Sequence, residues 1–143
     1  MARILIIEHD TTTRAMMTDL LQSAGHEIRS TDSGWNAFTL CHLMPMDVVI
    51  VCLFMPGHTG AEALRDLRRE FPELAILAFA SRPSVEDMSE FALWLGATRT
   101  LKKPCEPDVL LATIEDVLRS RLERNGSGTV PLNAGPVLAG ARI

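Results

Sequence analysis

Short apolar runs alternate with amphipathic stretches along the whole chain. Arg3–Ile7 (RILII) is an apolar run that ends in Glu8-His9-Asp10, the pattern of a buried strand. Thr11–Ala24 follows with Ala15, Met16, Leu20, Leu21 and Ala24 at helical spacing; Asp10 or a following Thr is placed to cap it, and Gly25 to end it. Glu27–Thr31 is a weaker strand. Gly34–Leu43 is a helix with Trp35, Phe38 and Cys41 or His42 on related faces, broken by Met44-Pro45. Asp47–Leu53 (DVVIVCL) is the strongest strand signal, β-branched and apolar on both faces, and Met55-Pro56-Gly57 is a turn. Gly60–Phe71 is a helix with Ala61, Leu64, Leu67 and Phe71 inward; Arg65, Arg68 and Arg69 interleave with Asp66 and Glu70 on a solvated face. Leu74–Ala80 is a further strand. Ser84 is placed to cap a helix running to Leu95, with Gly96 at its end. A short strand near Thr98–Leu101 leads to Lys102-Lys103-Pro104, and Glu106-Pro107 opens a last helix to about Arg124.

Strictly alternating strands and helices predict right-handed βαβ units, hence an α/β domain with a doubly wound parallel sheet of five strands. In such sheets chemistry sits at the carboxyl ends of the strands. Those ends are Glu8-His9, Cys52, Ala80-Ser81 and Lys103. Residues 1–124 form this domain. Residues 125–143 (NGSGTVPLNAGPVLAGARI) have no helical or strand period and a single charge, Arg142; a flexible C-terminal tail is expected.

Composition narrows the class. The chain has 143 residues, formal net charge -4, 47% hydrophobic and 22% charged residues, enough for one domain with a real core and too apolar for disorder throughout. No apolar run approaches the ~20 residues of a membrane helix, and the N-terminus lacks a signal-peptide pattern. A pI near 5.5 argues against nucleic acid as a partner. Three cysteines (Cys41, Cys52, Cys105) without CxxC spacing suit a reducing, cytoplasmic setting. There is no Tyr, and the two lysines are adjacent.

Met55, Pro56, Gly57 and Gly60, then Gly96-Ala97 and Lys103-Pro104, in this order and spacing, resemble the receiver domain of two-component response regulators, the CheY-like fold. The resemblance covers residues 2–122. It implies a flavodoxin-like sheet of order 2-1-3-4-5, bacterial signalling, and protein partners such as a histidine kinase. Receivers accept a phosphoryl group from a phosphohistidine on an Asp ending the third strand. Acidic residues after the first strand hold Mg²⁺, a Ser or Thr after the fourth strand and a Lys before a Pro bind phosphoryl oxygens, and an aromatic residue in the fifth strand reports the change. Carried over by position, the acceptor is Cys52, the acidic pair is Glu8-His9, the Ser/Thr is Ala80, the aromatic is Thr100, and Lys103 alone is intact.

A thiol supplies neither a hard ligand nor a second oxygen. The pocket has lost two negative charges, worth several kcal/mol toward a divalent cation at ~4 Å and an effective dielectric of ~20. Mg²⁺ binding and aspartyl phosphorylation are therefore expected to be lost, and no metal site or catalytic residue is expected. Cys52 then reads as a small hydrophobe closing a vacant pocket, with Lys103 paired to Glu8. Two alternatives stay open: a redox-active thiolate at Cys52, and a soft-metal site of Glu8, His9 and Cys52. Ser81 could stand in for Ala80 if the strand end slipped by one residue, although period 2 sends neighbours to opposite sides. Leu93 or Trp94 is a candidate anchor on the face of the fourth helix, fifth strand and fifth helix, which in this family serves dimers or partners; an ordinary core Trp is the alternative. His42 and His58 read as surface residues. The expected function is a stand-alone atypical receiver, not an enzyme, acting as a phosphorylation-independent interaction module. No output domain is expected in the tail.

Overall fold

The computed structural model describes residues 1–55 and 59–125. The Pro56-Gly57 turn residues, His58 and the tail expected over 125–143 lie outside them, apart from Asn125, which closes the last helix. Ten elements alternate: β1 (Arg3–Ile7), α1 (Thr11–Ser23), β2 (Glu27–Thr31), α2 (Gly34–Leu43), β3 (Val48–Cys52), α3 (Gly60–Glu70), β4 (Ala75–Ser81), α4 (Ser89–Leu95), β5 (Arg99–Lys102) and α5 (Pro107–Asn125). All strand pairs are parallel, in the order β2-β1-β3-β4-β5. The expected α/β class and strand order both hold.

The side-chain period of the strands divides the core into two layers. Leu5, Ile7, Val49, Val51, Ile76 and Ala78 face α2, α3 and α4, through Ala37, Cys41, Leu64, Leu67 and Ala92. Ile4, Ile6, Val48, Ile50, Leu77 and Phe79 face α1 and α5, through Met17, Leu21, Leu110, Ile114 and Val117. Every residue of β3 and β4 is buried, as continuous apolar strands require when helices cover both faces. Each large aliphatic side chain buried in this way contributes about 1.5–3 kcal/mol.

Three local readings are corrected. In α1 the inward stripe is Met17 and Leu21, one turn apart, while Met16 is 46% exposed. Two adjacent methionines made the period ambiguous by one position. Ser84 does not cap α4. It sits at φ 66, in a turn where the Val85 N–H donates to the Arg82 carbonyl, and the helix begins five residues later. There Asp87 accepts from the Ser89 N–H at 2.9 Å and the Ser89 hydroxyl at 2.6 Å. Arg68 is not a solvated charge. Its guanidinium donates to the Gly96, Phe71 and Pro72 carbonyls at 2.8, 3.2 and 2.8 Å, tying the end of α3 to the end of α4. Gly96 adopts φ +119, and a Cβ there would meet Arg68 Cγ at 2.5 Å, so this cap needs glycine twice over.

Asp87 also pairs with Lys102 at 3.0 Å, linking the start of α4 to the end of β5. The Ser89 hydroxyl, then Lys102, holds the Asp87 carboxyl down at about 2, from an ordinary 3.8. A carboxylate whose folded value is depressed supports structure above its unfolded value and loses that support as pH falls through the folded one. The contacts at the start of α4 are therefore expected to loosen between about pH 4 and pH 2. Carboxyl-carbon NMR titration of Asp87 with amide exchange at Ser89–Phe91 checks this; a midpoint near 3.8 would contradict it.

Candidate functional site

The carboxyl ends of β1, β3, β4 and β5 meet at one end of the sheet. β1 delivers Glu8, whose side chain is fully buried. Burying a carboxylate demands a cation and hydrogen bonds. Lys103, emerging just after β5 with its side chain 16% exposed, supplies the first: its ammonium bonds Glu8 Oε1. The Asp10 N–H supplies the second, donating to Glu8 Oε2 at 3.1 Å. His9 Nδ1 lies 3.3 Å from the same oxygen without hydrogen-bond alignment, and that nitrogen is buried. Both oxygens of Glu8 are thus engaged within the protein.

Cys52 ends β3 at 2% exposure. Its thiol donates weakly to the Phe54 carbonyl at 3.7 Å, and Lys103 Nζ stands 3.8 Å from Sγ. Burial pushes the thiol up; Lys103 pulls it down less strongly, and Glu8 pushes it up again. Burial thus favours the thiol over the thiolate, and a thiolate centre finds no support here. Among the described residues no three His, Cys, Asp or Glu side chains come together to hold a metal ion, so the soft-metal reading of Glu8, His9 and Cys52 finds no support. A hard divalent cation at the end of β3 would meet the sulfur of Cys52 where a receiver offers a carboxylate, beside a Glu8 already paired with an ammonium, a donor set that suits Mg²⁺ poorly.

β4 ends in an irregularity. Phe79 pairs with Leu101 and Ser81 with Lys102, so Ala80 is the extra residue of a bulge. Ala80 is fully buried and its carbonyl accepts from the Met88 N–H at 2.8 Å. Ser81 is 7% exposed, and its carbonyl accepts from the Lys103 N–H at 2.8 Å. A one-residue irregularity therefore brings Ser81 into the ladder, opposite Lys102, and buries it. Thr100 lies opposite Ala78 in β5, half-buried.

Sequence reasoning missed four neighbours, Thr13, Arg82, Phe54 and Phe79, and gave Asp10 only a capping role. Asp10 and Thr13 line a cleft of about 390 Å³ with Glu8, His9, Arg82 and Lys103. Arg82 also stacks over the Phe54 ring at 5.2 Å, and Phe79 lies under the Lys103 ammonium at 5.4 Å. The positions of Arg82 and Phe54, just past the ends of β4 and β3, were the available signal. Gly60 has a steric role here. A Cβ would stand 1.9 Å from the Cys52 carbonyl oxygen, so glycine lets the start of α3 press against the end of β3.

On α4, Ala92 is the inward residue, while Phe91, Leu93 and Trp94 are 40%, 49% and 79% exposed, with the two rings stacked at 6.0 Å. Trp94 is not a core residue. His42 is on the surface, 2.9 Å from Glu70. No described helix is long and apolar enough to cross a membrane.

The model of the response regulator receiver domain matches residues 4–115. Protein PilH of Pseudomonas aeruginosa is 31% identical over 121 residues, which cover 82% of this chain and 98% of PilH. The cell cycle response regulator CtrA of Brucella ovis is 30% identical over 117 residues, and the chain spans only half of that longer relative. The solved structure of Vibrio cholerae chemotaxis protein CheY4 superposes with a TM-score of 0.74 at 29% identity, over 82% of this chain and 99% of that one.

Proposed function

The chain belongs to the response regulator receiver domain family of two-component signalling, and from that premise we propose that it is an atypical member working as a phosphorylation-independent protein-interaction module. One observation carries the proposal. Where a receiver needs a free carboxylate and a cation, this chain has the Cys52 thiol beneath an ion pair of Glu8 with Lys103. The lysine that would bind a phosphoryl oxygen is occupied by a partner that cannot leave without stranding a buried charge. On this reading Mg²⁺ is not a cofactor, the protein performs no catalytic step, and the pocket presents one fixed conformation. A partner protein, such as a histidine kinase or another signalling component in the cytoplasm, reads that surface. The exposed Phe91, Leu93 and Trp94 of α4, beside β5 and α5, are the proposed contact, for a partner or a second copy.

Incubating the full chain with acetyl phosphate and Mg²⁺, and following intact mass, tests this. The expected outcome is no phosphoryl adduct and no Mg²⁺-dependent change in Trp fluorescence. A Mg²⁺-dependent adduct on any residue would overturn the proposal.

A further inference from the structure

At the amino ends of the strands, opposite the Lys103 pocket, the end of α2, the link to β3 and the loop from α3 to β4 enclose a single cavity of about 500 Å³. Met46 and Leu74 line it as buried residues, Met44 and Phe71 as half-buried ones, and Leu43 is 73% exposed. Two methionines in such a lining matter, because flexible thioethers adapt their shape to an incoming apolar side chain. The charged and titratable residues of the lining are His42, Glu70, Glu73 and Arg121. Both basic ones already have acidic partners. His42 Nε2 lies 2.9 Å from Glu70, and Arg121 donates to the Asp47 carbonyl at 2.7 Å and stands 3.4 Å from its carboxylate. Glu73 is exposed, and among the described residues no side chain pairs with it. The uncompensated charge on the rim is therefore acidic.

The surroundings select among occupants. The cavity lies before β3 and β4, two inner strands, whereas the free edges of the sheet are β2 and β5. An extended peptide cannot add to the sheet here, while a helix arrives with its backbone hydrogen bonds already made. A second copy is a poor match: the exposed rings of α4 are accompanied by exposed Glu86, Asp87 and Glu90, which would meet Glu70 and Glu73. An anionic lipid surface is repelled by the same two acids. A helix with an apolar stripe and Lys or Arg beside it satisfies both the lining and the rim.

We propose that this cavity docks a basic amphipathic helix of another protein, which seats apolar side chains one turn apart against Met44 and Met46 and sets its cations beside Glu73 and Glu70. Its lining shares no residue with the cleft at Lys103 or with α4, so this is a second interaction surface beyond the α4 contact. A partner held here leaves the stacked rings of α4 uncovered.

The probe is a synthetic helix of about 15 residues with Leu on one face and Lys on the other, and its Leu/Glu counterpart is the control. In the full chain labelled with ¹³C-methyl methionine, the Lys peptide is expected to move the Met44 and Met46 resonances saturably and to leave that of Met88, at the start of α4, in place. The Glu peptide should bind about tenfold more weakly. Glu73→Lys, a change at an exposed loop residue, should reverse that order of preference. Leu43→Ser should weaken binding of the Lys peptide about tenfold. Unmoved Met44 and Met46 resonances, movement of Met88 in their stead, equal binding of the two peptides, or a preference unaltered by Glu73→Lys would overturn the proposal. So would movement of Met44 and Met46 on dilution of the free chain, which would assign the cavity to a second copy, or with vesicles of anionic phospholipid, which would assign it to a membrane.

Discussion

Lys103→Met is expected to lower unfolding free energy by about 3–5 kcal/mol, the cost of breaking a buried ion pair by removing one partner. Glu8 has no exposure to water, and its remaining contacts are the Asp10 N–H and an unaligned His9 nitrogen. Without the ammonium it must either stay charged and buried with no cation bonded to it or take up a proton, and both states are costly. The pair as a whole is worth far less than this loss. Replacing both members by apolar residues of similar volume, Glu8→Leu with Lys103→Met, should recover most of the stability. Urea unfolding of the parent, both single variants and the double variant yields the coupling between the two sites, expected to exceed about 2 kcal/mol. A Lys103→Met variant within 1 kcal/mol of the parent would show that the pair is not what holds this end of the sheet.

Gly60→Ala is the second large effect. The added methyl would overlap the Cys52 carbonyl oxygen at 1.9 Å and the Leu53 Cα at 2.5 Å. These are backbone atoms of a fully buried strand and its exit, so no side-chain rotation relieves the clash. α3 must move away from β3, and Ala63, Leu64 and Leu67 lose packing against Val49 and Val51. Overpacking in a dense core costs about 1–3 kcal/mol where the structure can yield. Here the backbone must shift, so a loss of at least about 3 kcal/mol is expected, enough to threaten folding of a domain with a typical 5–15 kcal/mol. Thermal unfolding by circular dichroism reads it directly, and Gly25→Ala is the control. Gly25 has nothing within 4 Å of a Cβ and incurs only its positive-φ strain, so its variant should keep a clearly higher melting temperature. Equal melting temperatures would contradict the close approach.

The fold was legible because its signals are local and redundant. VVIVC is buried on both faces and carries no polar residue to mislead, and Gly34 and Met44-Pro45 bracket α2 at its observed limits. The failures fell where the determinant is a long-range contact. Ser84 is a good cap by residue type, but the contacts of Asp87 with Ser89 and Lys102 set the start of α4. Arg68 sits on the outer face of its helix by period, yet its length lets it reach carbonyls at Gly96, 28 positions away. The positions of the site follow from the carboxyl ends of a parallel sheet, but the role of each residue came only from the family resemblance. Glu8 and Lys103 are 95 positions apart, and no spacing rule joins them. The bulge at Ala80 was open only as an alternative, a slip of one residue, because the pairing of β4 with β5, rather than the residues of β4 themselves, decides which residue is extra.

The strand order has a consequence for how the chain emerges during synthesis. β1 neighbours β2 on one side and β3 on the other, so three of the five strands are available once Cys52 has emerged from the ribosome. From then until β4 is complete at Ser81, the growing sheet ends in an unpaired edge of sequence VVIVC. At about 5–20 residues per second, that edge stays open for a few seconds. It combines high β-propensity with no charge, the composition of an aggregation-prone segment. The interval between the third and fourth strands is therefore one in which covering that edge protects the growing chain from aggregation.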